Sequence, residues 1–349
     1  MYSDSEKNMT VYAKQNSVQI SHALDLKEIM KVNVVNGFSD QPEGGNPAGV
    51  VYLSENIQQG KVSSLQEQVN VKPQTLTEAQ MQQIATDLHF SETAFITRLN
   101  DKSFAIRYFT PAAEVPLCGH ATIASFSYLY QKGVIEDGVY ELITKEARLS
   151  VEVLAGIIWM EMDQPEMVRV LDQQMVERIC EAYELHTDDL DEKMKVCIVK
   201  SGLRDIHVCV KYKEKLLHAV QHEEEVRRIS EELDVVGIHM SCLNLQNDTK
   251  KLETCDTEGE SITAYCSNYA PLYDIPEECA TGTSNAGLTY YLYQMGRIKE
   301  NQCNCFLQGE HMNRPSKVYT KVRMVEQKPT VWVGGCGVIC KEGMDLSTL

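Results

Sequence analysis

The sequence predicts an α/β chain of two similar domains, each a curved, mostly antiparallel sheet wrapped around one central helix. Two segments, LCGHATIASFSYLYQKG at residues 117–133 and CATGTSNAGLTYYLYQMG at residues 279–296, end in the same Tyr-Leu-Tyr-Gln-x-Gly pattern. Neither segment has a broad polar face, so each predicts a helix that other elements surround on all sides. Short strand-like runs fill most of the chain from residue 31 onward. Together these observations indicate an internal duplication.

Glycine residues follow both apolar segments, at Gly133 and Gly296. Because a helix commonly ends where a glycine adopts a left-handed conformation, each glycine indicates the end of its helix. Two further helices are expected. The segment TLTEAQMQQIATDL has Thr75 and Glu78 at capping-box spacing, followed by apolar residues at the helical period. The segment QHEEEVRRISEELD predicts a more exposed helix with a charged outer face.

The chain length also predicts two domains. At 349 residues the chain can form two cores of ordinary domain size. The polar stretch NIQQGKVSSLQEQVNVKPQ is interpreted as a surface insertion. The expected divisions are an N-terminal extension at 1–29, a first domain at 30–150 with the Cys118 helix, a second domain at 151–330 with the Cys279 helix, and a last strand at 331–343 that returns to the first domain.

The composition excludes several classes of partner. With 33 basic and 50 acidic residues the formal charge is −17, which repels nucleic acid and anionic lipid surfaces. No apolar run approaches the roughly 20 residues of a membrane helix, and the polar start MYSDSEKNMTVYAKQN lacks the apolar core of a signal peptide. We therefore expect a cytoplasmic protein whose 12 cysteines are reduced.

No cofactor or metal is expected. A nicotinamide or flavin enzyme is disfavoured, because no Gly-x-Gly-x-x-Gly motif follows a predicted strand. The tight cysteine pair, Cys303 and Cys305, is interpreted as two alternating residues of one strand rather than as half of a zinc site.

The cysteines at the two predicted helix starts, Cys118 and Cys279, are the first candidates for chemistry. A helix N-terminus carries free N–H groups and partial positive charge, which favour a bound carboxylate and a thiolate. If the duplicated domains face each other, one thiolate removes a proton from carbon and the opposite thiol delivers a proton to the other face. The pattern thus predicts cofactor-independent racemisation. The alternative for each cysteine is a small buried packing residue.

Three other side chains are candidates near these helix starts. Glu92 precedes a strand-like run, and His120 lies two residues after Cys118, where it can hydrogen-bond substrate or transfer a proton. Glu278 directly precedes Cys279 and can bind an amine. The structural alternatives are a solvated carboxylate for Glu92, a capping histidine for His120 and a favourable helix-start acid for Glu278.

A set of ordered motifs resembles the phenazine-biosynthesis PhzF-like family. The motifs are GGNPAGVV, SETAFI, IRYFTPAAEVPLCGHATIAS, the glutamate-containing turn before TGTSNAG, QGEHMNRPS and WVGG, and they run from about Lys31 to Lys341. The resemblance implies the diaminopimelate-epimerase fold, in which two pseudo-symmetric α/β barrels each enclose a central helix. It also implies a cofactor-independent enzyme that acts on a small molecule and forms a homodimer.

The resemblance assigns roles to several residues. Glu92 matches the family's acid/base glutamate, and His120 matches its site histidine. Glu278 stands in place of a substrate-contacting aspartate, and Thr283 in place of a serine. Cys279 replaces a proline, and this change makes the chain similar to diaminopimelate epimerase and proline racemase, which have cysteines at both helix starts.

The leading expectation is an isomerase, specifically an amino-acid racemase or epimerase. Its expected catalytic residues are Cys118, Cys279, Glu92 and His120. The expected substrate-binding residues are Asn46, Gly119, Ala121, Glu278, Gly282 and Thr283. Three alternatives stay open: a PhzF-type isomerase in which Glu92 and His120 shuttle a proton on a small unsaturated or cyclic acid, a lyase, and a non-catalytic binding protein. The substrate's side chain is not fixed by the sequence.

Overall fold

The computed structural model describes residues 31–53, 76–162, 164–244 and 261–345. The predicted N-terminal extension and surface insertion lie outside these ranges. The strands are β1 Lys31–Gly37, β2 Asn46–Tyr52, β3 Glu92–Arg98, β4 Ser103–Phe109, β5 Glu114–Val115, β6 Gly138–Ile143, β7 Arg148–Leu154, β8 Ile157–Glu161, β9 Glu166–Val170, β10 Cys197–Ser201, β11 Leu203–Val210, β12 Gly237–Leu243, β13 Ile262–Ala270, β14 Ile275–Glu278, β15 Asn304–Gln308, β16 Ser316–Val325, β17 Lys328–Gly335 and β18 Gly337–Asp345. The helices are α1 Glu78–Leu88, α2 Gly119–Gln131, α3 Gln173–Glu181, α4 Lys213–Leu217, α5 Glu223–Leu233 and α6 Gly282–Gln294.

The strands form one continuous, mostly antiparallel sheet. Its order is β18-β1-β2-β3-β4-β6-β7-β8-β17-β16-β15-β13-β12-β11-β10-β9. The short strands β5 and β14 pair with β4 and β13. The pairs β2–β3, β4–β6, β11–β12 and β13–β15 are parallel.

The pairing scheme repeats itself. Strands β1 to β8 pair with one another as β10 to β17 do, with parallel pairs at the same two steps. Helices α1 and α5 occupy equivalent connections, and so do α2 and α6. The duplication predicted from two segments therefore extends over both halves, and the predicted fold class is confirmed.

The halves meet where β8 pairs with β17, and the chain returns to the first half through β18, which pairs with β1. The last strand was predicted at 331–343, whereas the returning strand is Gly337–Asp345 and residues 331–335 belong to β17. The predicted division between residues 150 and 151 falls within β7 and stays a prediction.

Helices α2 and α6 end in the same way. Val134 N–H donates to the Leu129 carbonyl and Arg297 N–H donates to the Leu292 carbonyl, each at 2.9 Å, which is the long bond of a Schellman motif. Gly133 and Gly296 have φ values of 66° and 65°. No atom lies within 4 Å of where their Cβ atoms would be, so the backbone conformation rather than packing requires glycine. Both predicted helix ends are confirmed.

Helix α1 confirms the predicted apolar face but corrects its cap. The N-cap is Thr77, whose hydroxyl accepts from Gln80 N–H at 3.3 Å while the Gln80 side chain accepts from Thr77 N–H at 2.8 Å. The predicted capping residue, Thr75, lies outside the described residues. The motif occurs twice in TLTEAQ, two residues apart, and its spacing alone does not distinguish the two copies.

The charged helix α5 is confirmed, with Val226 and Ile229 buried against the sheet. The expectation that all cysteines are reduced is wrong at Cys303, which is disulfide-bonded. Within the described ranges, no helix has both the length and the apolarity to span a bilayer.

Candidate active site

The central helices begin side by side over the junction of β8 and β17. A Cβ atom on Gly119, the first residue of α2, would lie 3.9 Å from Met160. A Cβ atom on Gly282, the first residue of α6, would lie 3.6 Å from Val333. Met160 and Val333 are paired across the junction, so the two helix N-termini converge there.

These N-termini leave backbone donors available. The first intrahelical bonds run from Thr122 N–H to the Cys118 carbonyl at 3.0 Å and from Asn285 N–H to the Thr281 carbonyl at 3.1 Å. Neither N-cap side chain accepts a capping hydrogen bond. The amides of the first turns therefore have no intrahelical backbone partners, and they include the predicted substrate contacts Gly119, Gly282 and Thr283. The amide of Ala121, also a predicted contact, interacts with the Cys118 thiol.

A line of polar side chains crosses from one half of the molecule to the other. Glu92 Oε2 lies 3.2 Å from His120 Nε2, and His120 Nδ1 lies 3.3 Å from Asn46 Nδ2. Asn46 Nδ2 donates to Glu278 Oε1 at 3.2 Å. The parallel strands β2 and β3 begin at Asn46 and Glu92, which places both side chains at the same sheet edge. Four predicted site residues are thus brought together.

Further side chains, which the sequence did not single out, support this line. Thr281 Oγ1 donates to Glu278 Oε2 at 2.6 Å. Gln308 Nε2 donates to the Glu278 carbonyl at 2.7 Å and to Thr281 Oγ1 at 3.0 Å. Ser91 Oγ lies 3.4 Å from His120 Nε2. The sequence could have indicated Ser91 and Gln308 only through their places in the SETAFI and QGEHMNRPS motifs.

The two carboxyl groups of the line have opposite pKa shifts. Burial favours protonation of Glu92, but the neighbouring His120 more than offsets it and holds the Glu92 pKa below its ordinary range. Burial raises the pKa of Glu278, despite the opposing effects of His120 and Thr281. Two acids whose environments separate their pKa values are suited to the roles of base and acid.

The pKa of His120 is raised in this setting. Its ring is 5% exposed, and burial opposes its charge, but Cys118 and Glu92 raise the pKa of His120 well above its ordinary value. An imidazolium donates from both nitrogens, and Cys118 Sγ, 3.4 Å from Nδ1, can accept from Nδ1–H. Exchanging the amide nitrogen and oxygen of Asn46 would place a second acceptor 3.3 Å from Nδ1 without moving any heavy atom.

The two predicted catalytic cysteines occupy different positions. Cys118 is the N-cap of α2, with its sulfur 3.4 Å from His120 Nδ1. Cys279 lies two residues before Thr281, the N-cap of α6, and its thiol donates to the Gly45 carbonyl at 3.4 Å. The expectation that both cysteines start helices is therefore wrong for Cys279. Counting back from Gly133 and Gly296, the counterpart of Cys118 is Thr281.

The predicted preference for thiolates is also wrong in direction. Burial raises the pKa of the Cys118 thiol, and nearby His120 offsets this only in part. Burial likewise raises the pKa of Cys279, with Arg314 opposing. Ligand atoms of Glu92, Cys118 and His120 all lie within 4.8 Å of one another, and Cys279 is outside this group. The facing thiol pair stays a prediction.

The duplicated sheet encloses two helices, and two partly buried carboxyl groups, those of Glu92 and Glu278, lie near the helix starts. The chain belongs to the PhzC-PhzF family, described as phenazine biosynthesis-like protein, whose model matches residues 35–343. The predicted family is thereby confirmed.

Curated relatives cover most of the chain. An uncharacterized isomerase of Clostridium acetobutylicum is 26% identical over 89% of this chain and 97% of its own length. An uncharacterized isomerase of Deinococcus radiodurans is 27% identical over 89% of this chain and 92% of its own length. These names agree with the prediction of an isomerase.

Solved structures confirm the fold. A PhzF-family protein of Bacillus anthracis has a TM-score of 0.72 at 23% identity, covering 90% of this chain and 97% of its own. A hydroxyproline epimerase of Agrobacterium vitis has a TM-score of 0.50 at 12% identity, covering 90% of each chain.

Proposed function

We propose that this protein is an isomerase that moves a proton at carbon in a small carboxylic acid, with Glu92 as the base. The observation that carries the proposal is the line from Glu92 through His120 and Asn46 to Glu278, set beside two converging helix N-termini. The names of the relatives support the reaction class. The proposed substrate contacts remain Asn46, Gly119, Ala121, Glu278, Gly282 and Thr283.

The substrate carboxylate binds at the converging N-termini of α2 and α6. Free amides and the partial positive charge of two helices favour an anion there. When a proton leaves the neighbouring carbon, negative charge develops toward the carboxylate, and the same amides stabilise it. This binding mode requires neither a cofactor nor a metal.

Glu92 removes the proton. Its low pKa keeps the carboxylate ionised, and its side chain is 19% exposed, so a substrate can reach it. The positive charge of His120 holds the Glu92 carboxylate in place. It also balances the negative charge of that carboxylate until Glu92 accepts the substrate proton.

The proton can return by two routes. Glu92 can deliver it to a second carbon on the same face, which yields a shifted double bond. Glu278, whose raised pKa favours the protonated form, can deliver a proton to the opposite face, which yields the epimer. The two routes differ in how much deuterium enters the product from the solvent, because only the second route returns a proton from a group other than Glu92.

The test is a panel of D- and L-amino acids and small unsaturated or cyclic acids in D₂O, followed by NMR under reducing conditions. Deuterium at the carbon next to the carboxylate, or a shifted double bond, is the expected result. If folded protein binds acids but exchanges and isomerises none of them, the chain is instead a binding protein on the same scaffold. Water loss from a β-hydroxy acid would indicate a lyase.

A two-thiol racemase is the second candidate, because Cys118 lies within hydrogen-bonding distance of His120 at the helix start. The fold is shared with a hydroxyproline epimerase. Its weakness is Cys279, whose thiol bonds to a backbone carbonyl.

Serine variants of the two cysteines distinguish these candidates. With Glu92 as base, Cys279→Ser should change the exchange rate by less than about tenfold, since general acid–base loss costs 10²–10⁴. Cys118→Ser should have a modest effect through His120. In a two-thiol enzyme both variants lose racemisation equally. Deuterium exchange of each purified variant measures this, and equal, near-complete loss would refute Glu92 as the sole base.

The pH dependence follows from the two pKa shifts. Glu92 must be ionised, and its pKa lies below the ordinary 4.5, so activity should fall only as the pH drops through that lowered value. His120 stays charged beyond its ordinary 6.5, so activity should decline as the pH rises through its raised pKa. A pH–rate profile on protein verified as folded checks this. Activity that instead rises toward the ordinary thiol pKa of 9 would indicate a thiolate base.

Homodimerisation and a cytoplasmic location stay predictions.

A further inference from the structure

We propose that Glu92, Cys118 and His120 form a binding site for a zinc-type divalent cation, whose occupation blocks the enzyme. The three side chains come from β3, from the N-cap of α2 and from its second residue. Binding itself is independent of the proposed function, and only the inhibition rests on it.

The distances suit one tetrahedral ion. The ligand atoms lie within 4.8 Å of one another. His120 Nε2 is 3.2 Å from Glu92 Oε2 and 4.0 Å from Cys118 Sγ. Around tetrahedral Zn²⁺, with bonds of about 2.0–2.3 Å, neighbouring donors are roughly 3.3–3.6 Å apart. Small side-chain rotations therefore bring all three atoms to bonding distance.

The donor set is one that zinc prefers. Thiolate, imidazole and carboxylate are its ordinary protein ligands, and three of them leave the fourth position open for water or substrate. Glu92 Oε2 is buried and lies 3.2 Å from His120 Nε2. This carboxylate oxygen therefore lies close to the other two ligand side chains, Cys118 and His120.

The side chains around the three proposed ligands also suit a bound ion. With Nε2 on the ion, Nδ1–H can donate to the side-chain oxygen of Asn46, which lies at 3.3 Å after amide exchange. Such an outer partner fixes the ring orientation of a metal-binding histidine. Ser91 Oγ, 3.4 Å from Nε2, can hold a water in the fourth position.

Binding is proton-coupled and displaces the proton relay. The ion takes Cys118 as thiolate and His120 as neutral imidazole, so the thiol proton and the imidazolium proton are released to solvent. The ion then occupies the carboxylate oxygen and ring nitrogen that catalysis uses. Proton transfer by Glu92 stops until the ion is removed.

Titration of the reduced, chelator-treated protein with Co²⁺ tests the site without any substrate. One equivalent should produce a thiolate-to-cobalt charge-transfer band, and Zn²⁺ should displace it. Cys118→Ser should abolish the band, and Glu92→Gln should weaken binding by more than the roughly 10–100-fold cost of losing an outer partner. Cys279→Ser is the matched control, since its thiol lies outside the group, and it should retain the band.

Absence of the band in the folded wild-type protein would overturn the proposal. A band that survives in Cys118→Ser would also overturn it, because another cysteine would then be the ligand. Circular dichroism establishes that each variant is folded. If an active substrate is found, Zn²⁺ should abolish exchange and chelation should restore it. A protein that binds Co²⁺ but isomerises nothing refutes the proposed function and leaves the metal site intact.

Discussion

Glu92→Gln should lower the rate of proton exchange by about 10²–10⁴-fold while leaving substrate binding largely intact. The amide has the shape of the carboxylate but cannot accept the proton. The substitution also removes one of the charges that raise the His120 pKa, so the ring loses part of its tendency to stay protonated. Deuterium incorporation at saturating substrate measures the effect, and a direct binding assay separates it from lost affinity.

Two matched variants control this experiment. Glu166→Gln neutralises an exposed glutamate of β9 and should leave the rate unchanged. Glu278→Gln removes the proposed acid, so inversion should be lost while exchange on the Glu92 face persists. Wild-type exchange in Glu92→Gln would show that the base lies elsewhere, and Cys118 would then be the nearest candidate.

Asn46 lies between His120 and Glu278, so the orientation of its amide is linked to the protonation states of both side chains. When its amide nitrogen faces His120 Nδ1 and Glu278 Oε1, the ring is unprotonated at Nδ1 and Glu278 is ionised. When its oxygen faces them, both His120 and Glu278 donate to it. The second arrangement agrees with the raised pKa values of His120 and Glu278.

The duplicated scaffold supplies its two acids from non-equivalent positions. Glu92 pairs with Ala48 at the start of β3, and the equivalent start of β12 is Gly237, paired with Asp205. A Cβ atom on Gly237 would lie 1.8 Å from the Tyr269 carbonyl oxygen, so no side chain fits there. The second half therefore cannot present a counterpart of Glu92, and its acid comes from Glu278 of β14.

Local sequence patterns were sufficient for most of the fold. The two apolar segments and their terminal glycines predicted α2 and α6, and the charged segment predicted α5. These signals are periodic and lie within one element. The predicted position of Cys279 is wrong because both segments begin with a cysteine, whereas their equivalent helix ends place Cys118 opposite Thr281.

The electrostatics of the site required tertiary structure. The Asn46–Glu278 contact joins residues 232 positions apart, and no local pattern encodes it. The partial positive charge of a helix N-terminus, taken alone, favours a low thiol pKa. Burial, which depends on everything packed around Cys118 and Cys279, has the larger effect and the opposite sign.

Two buried histidines outside this line should make the fold sensitive to acid. His239 is fully buried and packs beside His207, with ring centroids 5.5 Å apart. Burial lowers the pKa of His239 to about 4, and burial and the charge of His239 lower the pKa of His207 well below its ordinary 6.5. Neither ring nitrogen of His207 has a hydrogen-bond partner among the described residues.

The sign of the effect follows from proton binding. Between pH 6.5 and about 4 the unfolded chain protonates His239 while the folded protein does not, so folding is progressively disfavoured as the pH falls. Over this pH window, His239 alone lowers the free energy of unfolding by about 3 kcal/mol. Asp205 acts in the opposite direction, because burial raises its pKa to about 6 and the folded protein binds its proton more tightly than the unfolded chain. Glu278, whose pKa burial also raises, acts in the same direction as Asp205, while His207 adds to the effect of His239.

Urea unfolding across this pH range, in the wild type and two variants, checks the assignment. His207→Leu should flatten the dependence, and by removing two unpaired buried nitrogens it should cost little stability at neutral pH. Asp205→Asn should steepen the dependence, since it removes the opposing group and leaves both histidines. If the free energy of unfolding is level from pH 6.5 to pH 4 in all three proteins, the rings are solvated or paired in the native state and the assigned shifts are wrong.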